Sequence, residues 1–102
     1  MNAKTFENFT STSIASGFDE VLERHWGPDT VLDVHTHDFD ASALVIQGEM
    51  WLTCAGVTRY LTSGDSFTIG HQVPHSERYG AQGATYWVAR RNAPKSESQS
   101  HR

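Results

Sequence analysis

The sequence holds a single cysteine, Cys54, so no intramolecular disulfide supports the fold. A lone cysteine in such a chain reads as a small reduced core residue, not as a nucleophile. Long apolar runs are missing too. Ala43-Leu44-Val45-Ile46 is among the longest, far below the ~20 residues that span a bilayer, so no membrane association is expected. Met1 to Thr5 has no apolar segment of the secretory kind, which points to a cytoplasmic protein. Positive charge is scarce: 8 Lys and Arg stand against 12 Asp and Glu, for a net charge of −4. Nucleic acid, which calls for a basic stripe, is not expected as a partner. The one local basic pair, Arg90-Arg91, reads as a solvated strand end. At 102 residues the chain suffices for one domain with one core.

What is present is a β pattern. Residues 1–17 are rich in Thr and Ser with sparse large apolar positions at Phe6, Phe9 and Ile14, which predicts a short helix or an irregular arm. From 18 to 91, short apolar segments alternate with turn residues, the mark of an all-β domain. Glu20–Trp26 ends at Gly27-Pro28-Asp29, and Val31–His37 ends in Asp38-Phe39-Asp40. Ala43–Gln47, Met50–Cys54 and Val57–Leu61 follow, with Ala55-Gly56 as a hairpin turn. Ser66–Ile69, His75–Tyr79 and Ala84–Arg91 complete eight short strands. Residues 92–102 form a polar tail expected to be disordered. No long helical pattern separates the strands, so a sandwich or barrel is favoured over a βαβ fold.

His35 and His37 are two residues apart, and in a strand such residues share a face. Two imidazoles on one face can share a metal ion, and imidazole suits several divalent metals. His75 follows a Gly64-Asp65 turn and Pro74. His25 and His101 have no such setting.

These spacings resemble the two motifs of the cupin superfamily, G-x5-H-x-H-x3-E-x6-G and G-x5-P-x-G-x2-H-x3-N. From His37, three residues lead to position 41, and six more lead to Gly48. From Gly64, the second motif runs without gaps to His75 and Tyr79. The resemblance covers roughly residues 27–79. It implies a single-domain cupin jelly-roll β-barrel holding a divalent metal ion (Fe, Ni, Zn or Mn) on His35, His37 and His75. The departures are Asp29 at the first glycine, Ala41 at the glutamate, Gly70 at the proline, Gln72 at the inner glycine and Tyr79 at the asparagine. Ala41 matters most, because an alanine cannot coordinate and the resemblance carries only three ligands across.

A carboxylate from elsewhere could fill the gap. Asp33 shares the strand parity of His35 and His37, Asp38 and Asp40 lie in the adjacent bend, and Glu77 shares the parity of His75. His71, in the loop before His75, is at most a second layer behind the ligands. Parity also predicts an apolar cavity lined by Ala41, Ala43, Val45, Gln47, Phe67 and Ile69, with Trp51, Tyr86 and Trp87 lining it or packing elsewhere.

Two functions fit. One is a mononuclear metal dioxygenase acting on a small organic substrate, which the three-histidine resemblance implies. The other is a non-enzymatic domain that binds or senses a small molecule. Fold alone does not choose between them. Three Trp and five Phe give more aromatic bulk than one small barrel encloses, so a homodimer is expected.

Overall fold

A computed structural model of the chain describes residues 5–92; the residues expected to form the tail, apart from Asn92, lie outside this range. One helix, α1 (Phe6–Ala15), precedes six strands: β1 (Glu20–Trp26), β2 (Val31–His35), β3 (Phe39–Cys54), β4 (Val57–Thr62), β5 (Ser66–Ile69) and β6 (His75–Asn92). Thr5 caps α1 by accepting from the Asn8 amide at 3.0 Å. So polar a helix is marginal by propensity, and packing holds it. Phe6 and Phe9 lie on Trp87, with ring centroids 5.6 and 5.8 Å away.

All strand pairs are antiparallel, and β6 is the hub. Its first part pairs with β2 and its second part with β1, while β3 runs along its other edge. Strand β3 in turn carries β5 beside its first part and β4 beside its second. Two long strands therefore replace four of the eight short ones expected. The glycines taken as strand ends are bends within continuous strands. At Gly48 and Gly83, both with positive φ, β3 and β6 approach so closely that a Cβ on Gly48 would lie 2.2 Å from the Gly83 carbonyl oxygen. No side chain fits there, and the ladder shifts register on either side of Gly48.

The bulge has a consequence for side-chain phase. Ala43 and Val45 are buried in the core, but Gln47, expected on the cavity wall, is exposed. The register shift between Val45 and Gln47 turns it outward. The core is built from Val45, Met50, Leu52, Leu61, Phe67 and Tyr79, with Leu22 and Leu32 packed against it. Cys54 is half-buried at the end of β3, beside the Ala55-Gly56 turn. That turn has φ of 53° and 78° at its two residues, as a type I′ hairpin requires. Asp29 and Gln72, at the two glycine positions of the resembling motifs, have φ of 57° and 62°. The glycine-like backbone persists without the glycine. No helix among the described residues is long and apolar enough to cross a membrane.

Candidate metal centre

Three strand ends converge on the site. Strand β2 ends at His35, His37 follows in the turn to β3, and His75 opens β6. The strand expected to reach His37 stops two residues early, after a register shift between Leu32 and His35. The turn is tied in place by the Gln72 amide, which donates to the His37 carbonyl at 2.7 Å. One ring nitrogen from each of the three histidines lies within 4.8 Å of the other two. Their ring centroids are 4.3 to 5.0 Å apart.

Backbone carbonyls orient two of the rings. His35 donates its Nδ1–H to the Asp33 carbonyl at 2.7 Å, and His75 donates to the Val73 carbonyl at 2.9 Å. In a neutral ring this bond leaves the lone pair on Nε2, the tautomer a metal ligand needs. His75 is only 2% exposed, and its Nε2 is buried without a hydrogen-bond partner. Such an orphan costs about 1–3 kcal/mol, and an ion at the centre of the trio would satisfy it. Burial, with His75 and His35 beside it, lowers the pKa of His37 and favours its neutral form. Phe39 stacks on His37 at 4.6 Å and 12°. The donor set fits a divalent metal ion.

The acids expected nearby divide sharply. Glu77 comes closest: its Oε2 lies 3.4 Å from His75 Nε2 and 3.5 Å from His35 Nε2. It is buried, and the Tyr79 hydroxyl donates to its other oxygen. Burial, then Tyr86 and Glu77, raise the pKa of Tyr79 far above its ordinary value, so the phenol keeps its proton. Asp33 borders the cavity and offers its carbonyl to His35. Asp38 does not turn inward, because Gln72 Nε2 donates to it at 2.7 Å. Asp40 is held away by the His71 amide at 2.8 Å, by His71 Nδ1 at 3.0 Å and by Arg91 at 3.1 Å. The His71 side-chain bond leads in lowering Asp40 to about 2. His71 thus belongs to this outer cluster and does not back the three histidines. His25 is exposed and pairs with Glu23 and Thr85.

The histidines open into a cavity of about 540 Å³. Phe39, Ala41, Phe67, Ile69 and Val88 form its apolar wall. Three of these were expected from parity; Ala43, Val45 and Gln47 do not line it. Tyr86 does, accepting from Trp26 Nε1 at 3.2 Å. Trp51 and Trp87 do not. Trp51 lies on the outer face under Arg78 at 3.9 Å, and Trp87 donates to Glu23 at 3.0 Å. Two residues the sequence reading missed are Arg24 and Arg90, both on the wall. A signal for them existed: Arg24 shares the parity of Leu22 and Trp26, and Arg90 that of Tyr86 and Val88.

No protein-family model and no curated protein sequence matches this chain. Solved structures do. An RmlC-like cupin from Shewanella frigidimarina superposes with a TM-score of 0.61 at 24% identity, covering 69% of this chain and 63% of that one. KdgF from a Halomonas species superposes at 0.64 with 19% identity, covering 76% and 72%. A structure of DMSP lyases superposes at 0.66 with 20% identity, covering 72% of this chain and 38% of the other. The chain thus spans less than two thirds of the Shewanella and lyase chains. Identities this low speak for the fold alone, and the antiparallel sheet agrees with them: the chain has the jelly-roll fold seen in small RmlC-like cupins.

Proposed function

We propose that the protein holds one divalent metal ion on His35, His37 and His75 and uses it to act on a small organic molecule bound in the adjoining cavity. The observation that carries this is the buried, unpartnered Nε2 of His75 beside two further histidine nitrogens. When bound, iron would supply O₂ chemistry of the dioxygenase kind, whereas zinc, nickel or manganese would supply Lewis-acid polarisation. The chain's own residues do the rest. The apolar wall excludes water and strengthens every polar contact made inside. Glu77 stands ready to accept or return a proton next to the histidines, its position fixed by Tyr79. That carboxylate suits elimination or isomerisation as well as oxidation, and lyases occur among the structural neighbours.

A second reading is a binding or sensing domain, in which the same cavity holds a small molecule without turning it over. Metal analysis of protein purified without added metal tests the proposal, followed by O₂-uptake and product assays with small organic acids. Stoichiometric metal with turnover supports the enzyme; metal-free protein that still binds ligand supports the sensor. The proposal includes a homodimer, for which exposed Val31, Val34 and Tyr60 provide apolar surface. A strict monomer by light scattering at high micromolar concentration removes that element.

A further inference from the structure

Ala41 and Arg90 are paired directly across β3 and β6, with Ile69 of β5 on the other side of Ala41. Ala41 lines the cavity and ends at its Cβ, so the volume a longer side chain would take belongs to the cavity. Arg90 borders the same space. Its guanidinium carbon lies 4.4 Å from the Phe39 ring centroid, and its Nε is buried without a hydrogen-bond partner. Among the described residues the one carboxylate in reach, Glu20, is 3.5 Å from Nη1 and 47% exposed, a loose pair that leaves the buried Nε unmet. Arg24, on β1, also lines the cavity, stacked over Trp26 at 4.9 Å. Among the described residues it has no carboxylate partner. A cavity with an apolar wall and two half-buried guanidinium groups, one of them with a buried and unmet Nε, favours an anion, since a buried donor is costly unless met.

We propose that the ligand is an organic carboxylate whose anionic group docks on Arg90, with Arg24 as a second cation, in the space that the alanine at position 41 leaves open. Guanidinium presents a planar fork that matches a carboxylate in two parallel hydrogen bonds. Phe39 touches both Arg90 and His37, so the cation and the histidine cluster border one continuous space. The rest of the ligand, which is apolar or aromatic, lies against Phe67, Ile69 and Val88. This inference rests on the metal-site reading for what the ligand's far end meets, but not for the arginine contact itself.

The test titrates the full chain with benzoate and with the uncharged benzamide, in the presence and absence of Co²⁺, followed by tryptophan fluorescence. Trp26 on the cavity wall is the reporter. Wild type is expected to prefer benzoate on the order of tenfold, the worth of one charge-assisted contact. Arg90→Gln removes the preference, Arg90→Lys retains part of it, and Ala41→Glu abolishes it by filling the space with a competing carboxylate. Arg24→Gln, on a different strand, reduces the preference about threefold and guards against a folding defect in the Arg90 variant. Equal affinity for the two probes, binding of neither, or a preference that survives Arg90→Gln overturns the proposal. Benzoate preference without Co²⁺ uptake upholds it while removing the metal reading. Co²⁺ uptake without the preference does the reverse.

Discussion

At one end of the cavity, His35 and His75 are each aimed by a hydrogen bond from Nδ1 to a backbone carbonyl two residues earlier in the chain. At the other end, Arg24 and Arg90 are held by stacking on Trp26 and Phe39, and among the described residues only the loosely held Glu20 offers either a carboxylate. The difference concerns what each end depends on. Backbone carbonyls stay in place whatever side chains surround them, so the histidine end is set by the fold. Ring stacking depends on which residue stands at 26 or 39. The His35 and His75 nitrogens are therefore the constant part of this site, whereas His37, stacked on Phe39, shares the dependence of the cationic end, the part proposed to select.

Removing a nitrogen should break the first end most severely. His35→Ala, His37→Ala or His75→Ala should each weaken divalent metal binding by more than about a hundredfold, since even a residue behind the ligands is worth 10–100-fold. His25→Ala, whose ring faces solvent, should leave it unchanged. Elemental analysis decides, and full occupancy in His75→Ala protein would refute the assignment. Next in size comes Glu77→Gln, which keeps the shape but removes the charge beside two Nε2 atoms. Metal affinity should fall about tenfold by Co²⁺ titration, with the benzoate preference intact. An unchanged affinity would show that Glu77 serves Tyr79 alone.

Acid should separate the two ends without mutation. His37 has a lowered pKa, so the unfolded chain binds more protons than the folded one as pH falls through 6.5. The stability it contributes is complete above 6.5 and declines below it, and protons also compete with metal for all three rings. Metal affinity should thus drop steeply on going from about pH 7 to pH 5, while the benzoate preference is retained. Equilibrium dialysis across that range checks it, and a flat profile counts against histidine ligation. The smallest expected effect lies outside the cavity. Ala55 adopts φ of 53° with no polar side chain to ease it. Ala55→Asn should raise stability by about 0.5–1 kcal/mol in urea unfolding and leave metal and benzoate binding untouched.

Local spacing made the three histidines legible, because an H-x-H pair and a histidine behind a Gly-Asp turn are short-range signals. The Ala55-Gly56 hairpin was legible for the same reason. What escaped was whatever a bulge or a distant pairing decides. Gln47 fell on the wrong face because one register shift reverses every later position. Arg90 was read as a solvated strand end: its parity with Tyr86 and Val88 hinted at the inner face, but the flanking by β1 and β3 that buries its Nε is a distant pairing. Four expected strands merged into two because glycine at a strand break and glycine at a close approach look alike in sequence.

The long strand β6 carries His75 at its start, Glu77 near it and Arg90 close to its end. Tyr86 and Val88 of the cavity wall lie on it too, whereas Arg24, His35, His37 and Ala41 lie on segments that come earlier in the chain. A chain being synthesised would therefore expose His35 and His37 well before their third partner emerges, and the cationic end would follow later still. Such distant pairings close slowly, typically in milliseconds to seconds. Under the proposed metal-site reading, metal capture would mark the end of folding, so a metal-sensitive signal in a refolding experiment would time the docking of the last strand.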